Sequence, residues 1–171
     1  KTGYSTGIEM YILQIMFETY LNAIYSICDN LAFIGHVLHP NIKRGFNDQR
    51  KFIAKYRDQF QQYEGYLDLI DDCEWYEELH AMRSESTHYF PGFVYYSGDG
   101  LGILYQDMIS SNKRIQIDDL VEYVQTIYSQ LLEFIEKFGK YHLNAFIKDD
   151  HVAIFLCAIP HPEPDSKAFL V

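Results

Sequence analysis

From Ile8 to Leu38 apolar residues recur at helical spacing. Ile8, Ile12, Ile15, Met16, Ala23, Ile27, Leu31 and Ile34 form one stripe, and Leu13, Phe17, Leu21 and Ile24 widen it around most of the circumference. This predicts a long, central, largely buried helix, with Gly35 and Pro40 bracketing its end. A second helix is predicted from about Asn47 to Tyr63, with Phe52, Ile53, Tyr56 and Phe60 inward. After Gly65 a third helical region runs from Tyr66 to about His88 on Leu67, Ile70, Cys73 (or Glu74), Tyr76, Leu79 and Met82. Pro91 disfavours helical geometry at Phe90, so this helix should end near His88 or Tyr89.

The period then changes. In FVYYSGDGLGILY two runs rich in aromatic and branched residues flank an Asp-Gly, which predicts a β-hairpin over residues 93–106. Asp118 or Asp119 caps the next helix, with Glu122 completing a variant capping box. Its stripe is Leu120, Val124, Ile127, Leu131, Phe134, Ile135 and Phe138, continuing to about Ile147. VAIFLCAIP near the C-terminus reads as a short strand, followed by a proline-rich extended tail. The fold class expected is mainly α: an antiparallel bundle of about four helices with a small β-hairpin inserted before the last long helix. Residues 1–147 would form the bundle, and 148–171 a strand and tail of the same domain.

Composition narrows the classes. Of 171 residues 48% are apolar, enough for a core without disulfide staples. Cys28, Cys73 and Cys157 are odd in number and far apart, which favours a reducing, cytoplasmic setting. No signal peptide is visible, and the opening KTGYSTG without methionine predicts that sequence preceding Lys1 is missing. Glu18, Asn22, Asp29 and Asn30 interrupt the first apolar segment and argue against a membrane span. The net charge of −10 counts against a general nucleic-acid binder. Locally the sign reverses: Lys43, Arg44, Arg50, Lys51, Lys55 and Arg57 face only Asp48 and Asp58 over residues 41–60, which is either a solvated helix face or a strip that guides RNA phosphates.

Candidate chemistry is sparse. Glu77/His80 and Glu85/His88 are each Glu-x-x-His, but eight residues separate them on one helical region. That is about 12 Å, too far for shared metal ligands. No metal or cofactor is therefore expected. Gly98, Gly100 and Gly102 suit a hairpin turn, with no helix following to bind phosphate. The stretch MRSESTHYFPG remains. Arg83 and His88 sit at the end of a bundle helix, before a Pro-Gly break, and point about 140° apart on an ideal helix. The structural alternative pairs Arg83 with Glu78 or Glu85 and uses His88 to cap carbonyls. As a functional pair they would meet best in a groove between two copies of the chain. Arginine suits bidentate phosphate binding there, and histidine suits proton transfer.

The long first helix, the bundle and R-S-E-S-T-H at the end of the third helical region resemble the HEPN superfamily, with its Arg-x(4–6)-His motif, and in particular bacterial branches with an inserted hairpin. The resemblance covers about residues 8–147. It implies a dimeric, metal-independent RNase or RNase-derived domain, in which Arg83 holds the scissile phosphate and His88 moves a proton. Ser84, Glu85 and Glu78 would support that site. Active relatives often carry Asn, Asp or His after the arginine; here Ser84 is a weaker orienting group. Inactive relatives serve as binding partners. The alternative is accordingly a non-catalytic, acidic helical module that binds a protein partner, as an immunity or antitoxin-like component would.

Overall fold

The structure, a computed structural model, describes residues 7–39, 41–98 and 100–146. Its elements in order are α1 (Gly7–Leu38), α2 (Phe46–Tyr56), a 3₁₀ segment (Arg57–Tyr63), α3 (Glu64–Asp71) and α4 (Trp75–His88). Strands β1 (Phe93–Ser97), β2 (Gly100–Tyr105) and β3 (Ile115–Ile117) and helix α5 (Leu120–Phe146) follow. The fold is mainly α, with a small antiparallel sheet before the last long helix. The C-terminal strand and tail, Cys157, Asp99 of the hairpin turn and the Phe60 side chain lie outside the described residues.

Helix α1 has its expected bounds but not its expected burial. Phe17, Leu21, Ile24, Cys28, Ala32 and Gly35 are buried, at steps of three or four that mark one helix face. Ile8, Ile12, Ile15, Met16, Ile27 and Ile34, most of the stripe taken from the sequence as core, are exposed. The helix is apolar on two sides, and the described residues cover one of them. By length and composition α1 alone among the described residues is apolar enough to cross a membrane, yet its buried row belongs to the bundle core.

The direction of α4 against α1 follows from its contacts. Tyr25 of α1 lies against Tyr76 and His80, at ring distances of 6.0 and 5.8 Å. Further along α4, Arg83 reaches Asn22. The chain advances on α4 while it retreats on α1, so the two helices are antiparallel, and the last turn of α4 heads toward the N-terminal half of α1.

The third helical region is two helices. Leu67, Ile70, Tyr76, Leu79 and Met82 are buried as expected, and of Cys73 and Glu74 it is Cys73 that is buried, because the apolar period persists through a break at 72–74. Arg50 of α2 closes that break: its Nη1 donates to the carbonyls of Ile70 (3.2 Å) and Cys73. Likewise α2 ends earlier than expected, tightening into the 3₁₀ segment at Arg57.

A buried polar link joins α1, α2 and α3. Gln49, fully buried, donates through Nε2 to the carbonyls of Ala32 (2.7 Å) and Lys43 (2.6 Å), and its Oε1 accepts the Tyr66 hydroxyl (2.6 Å). Gly35 makes room for that hydroxyl, since a Cβ there would stand 2.0 Å from Tyr66 Oη. This glycine sits inside the helix rather than ending it.

Where α1 and α5 meet, His39 and His142 are buried with ring centres 5.4 Å apart, among Tyr63, Tyr66, Tyr141 and Phe138. Both nitrogens of His142 and Nε2 of His39 lack a partner among the described residues. Burial, with the neighbouring His39 adding, pushes the His142 imidazole down to about 4, and burial lowers His39 as well. The unfolded imidazole takes its proton near pH 6.5, well before the folded one. Stability is therefore complete above about pH 6.5 and falls as the pH drops toward 4, by about 2–3 kcal/mol for His142. Urea midpoints at about pH 7 and about pH 5 should diverge less in His142→Phe than in the wild type.

The sheet has order β1-β2-β3, with Val94 opposite Ile103 and Ile103 opposite Ile117. These three are buried together with Tyr105 and Ile115. The third strand carried too short an apolar run, Ile-Gln-Ile, to be read from sequence. Helix α5 starts as expected, the Asp119 carboxylate accepting the Glu122 amide at 2.9 Å. Leu120, Ile127, Leu131, Phe134 and Phe138 face inward, while Ile135 turns outward.

Candidate functional site on helix α4

Arg83 is positioned by α1, not by the acidic residues of its own helix. Its Nε donates to Asn22 Oδ1 at 3.2 Å, and its guanidinium lies 4.4 Å from the centre of the Tyr25 ring. An arginine stacked on an aromatic face keeps its outer N–H groups available for an oxyanion. His88 is exposed in the last helical turn, its ring 6.5 Å from that of Tyr89. The helix end itself is closed by the Tyr89 amide donating to the Glu85 carbonyl at 2.9 Å. Arg83 thus faces α1 and His88 faces solvent.

The residues expected to support the pair divide. Ser84 is half-buried and lines a cleft beside α4. Glu85 is buried and turned away from Arg83; its two carboxylate oxygens accept the amides of Ile109 (3.2 Å) and Ser110 (2.9 Å). Burial works against its charge, but the Ser110 amide and side chain and the Ile109 amide together prevail and hold the carboxyl below the usual range. Glu85 therefore tethers the β2–β3 connection. Glu78 is exposed and faces Tyr123, whose hydroxyl is pushed up by burial and then by the Glu78 charge.

The six cations of residues 41–60 are not one strip. Arg50 is the staple described above and also pairs with Glu77 at 3.2 Å. Arg57 pairs with Asp71 at 2.9 Å and with Asp68. Lys43, Arg44 and Lys55 lie over the rings of Phe52, Phe33 and Tyr56. Lys51 lines the cleft that Ser84 also lines.

His80 belongs to the same neighbourhood, although the sequence raised it only as half of a Glu-x-x-His pair and set it aside. It lies three residues before Arg83, on the same helix face, and shares the Tyr25 ring with it. Burial lowers its pKa, and Lys51 and Arg83 lower it further. The i, i+3 spacing was the available signal. For Ser110, Ser111 and Lys113, which reach the cleft from the β2–β3 connection, no sequence signal exists. Among the described residues no group of three or more His, Cys, Asp or Glu is placed to hold a metal ion. Comparison of the chain with family models, with curated proteins and with solved structures returns no match.

Proposed function

We propose that the protein is a HEPN-like, metal-independent RNA endonuclease, or an RNase-derived domain, that acts as a homodimer in the cytoplasm. The observation that carries this reading is the placement of Arg83 and His88. Both are accessible, they diverge within one chain, and the helix turn that bears His88 runs toward the N-terminal half of α1, which carries an exposed apolar side. A second copy seated on Tyr11, Ile12, Ile15 and Met16 would cover that side and bring two such motifs to one groove.

In that groove the Arg83 guanidinium would bind the scissile phosphate. A neutral imidazole would take the proton of the ribose 2′-hydroxyl as O2′ attacks the adjacent phosphorus. The P–O5′ bond breaks, and an imidazolium protonates the departing O5′, leaving a 2′,3′-cyclic phosphate. One His88 serves both steps, taking the 2′-hydroxyl proton as the base and returning it to O5′ as the acid.

The test is cleavage of RNA in EDTA by the wild type, Arg83→Ala and His88→Ala. Loss of about 100-fold or more in each variant is expected, with cyclic phosphate ends on the products. Cleavage indifferent to both substitutions, or none in the wild type, would sink the nuclease reading. The exposed α1 face and the charge of −10 would then favour a module that binds a protein partner.

A further inference from the structure

Helices α2 and α4 and the β2–β3 connection enclose a cleft of about 420 Å³, within the range of small-ligand sites. Its charges do not balance. Glu77 is satisfied by Arg50 and Asp71 by Arg57, which leaves Lys51 and Lys113 without an ion pair among the described residues. Around them stand the neutral donors Asn47, Ser84 and Ser110 and the imidazole of His80. On a chain of net charge −10 this is a local cationic recess with hydroxyl and amide donors, the chemistry that recognises phosphate.

The recess adjoins Arg83. Ser84 lines it, and His80 lies one helical turn before Arg83, about 5–6 Å away between Cβ atoms. The backbone amides of Ile109 and Ser110, held by Glu85, fix the connection that carries Lys113.

We propose that this cleft binds a phosphate group, with Lys51 and Lys113 as its cationic grip, and that in RNA it takes a phosphate flanking the one held by Arg83. The phosphate chemistry stands on the cleft alone; its assignment to RNA rests on the function proposed above.

The experiment uses the full chain and a fully 2′-O-methylated RNA of about eight nucleotides, which lacks the attacking hydroxyl and cannot be cleaved. Binding is read by fluorescence anisotropy across a salt series. Lys51→Ala/Lys113→Ala should weaken binding about tenfold or more and lower the log–log salt slope by about 1.4, two contacts at about 0.7 each. Lys137→Ala/Lys140→Ala, on α5 and paired with Glu133 and Glu136, should change neither. Competition by a nucleoside 5′-monophosphate separates the sources. Lysine-dependent binding of the mononucleotide without RNA binding keeps the phosphate site and removes RNA from it. Equal affinity and slope in wild type and the Lys51/Lys113 variant overturn the proposal, as does binding of neither probe. Lysine-dependent binding with no cleavage by the wild type leaves the cleft standing and sinks the nuclease. Cleavage with lysine-independent binding does the reverse.

Discussion

Glu85→Ala should destabilise the protein by about 3 kcal/mol, the largest effect of any single polar substitution on α4. The carboxylate is 3% exposed and accepts two backbone amides, of Ile109 and Ser110. Truncation removes the acceptor of both amides from a part-buried site, next to Met108, which is itself buried and closes the connection by accepting the Asn112 amide at 2.7 Å. Glu85→Gln keeps the volume but sets a side-chain NH₂ against one of the two amides, so about 2 kcal/mol should still be lost. The carboxylate is held below its usual range, so its contribution is present above the unfolded value near pH 4.3 and disappears as the pH falls through the folded one. Urea unfolding of the wild type and both variants near neutral pH checks the sizes. Equal midpoints in all three would show that the tether carries no stability.

This residue marks how far the sequence could be read. Glu85 lies between Arg83 and His88, and spacing alone makes it a member of their site. Its carboxylate instead holds a connection more than twenty residues away, a partner that no local pattern encodes. The elements themselves were more legible. The bounds of α1, the end of α4 at His88, the hairpin and the Asp119 cap each follow from periodicity or from one local rule.

Burial was less legible than helicity. The apolar residues of α1 run around its circumference, and periodicity does not say which side this chain covers; Phe17, Leu21, Ile24 and Cys28 were covered, Ile12 and Ile15 were not. The break at 72–74 escaped because the apolar rhythm carries straight through it, and what stabilises the break is a guanidinium from another helix. The same tertiary competition engages Arg50 and Arg57, which charge counting had left as part of either a solvated helix face or an RNA-guiding strip. At the candidate site the divergence of Arg83 and His88 was readable from the 100° step of a helix. The Asn22 and Tyr25 partners of Arg83 were not, since they come from α1, some sixty positions earlier in the chain.

On the proposed dimeric site, mixing the two inactive proteins Arg83→Ala and His88→Ala should restore RNA cleavage. Within one chain the two side chains diverge, Arg83 toward Asn22 and His88 toward solvent, so a working pair draws its arginine and histidine from different subunits. A mixed dimer holds one chain with Arg83 and another with His88, which completes one such cross-subunit pair. Free exchange of subunits makes roughly half of all dimers mixed. Activity should therefore rise from the background of either variant to a sizeable fraction of wild type, a gain of about tenfold or more given the loss expected from each substitution. The gain should appear only after conditions that allow subunits to exchange, and should vanish when the apolar side of α1 is blocked by Ile12→Glu/Ile15→Glu, which charges two exposed positions without touching the buried row. Cleavage that stays at background in the mixture, while the wild type cuts, places both residues of a pair in one chain and removes the need for a second copy. Rescue that survives the charged α1 face keeps the dimer but moves its interface elsewhere.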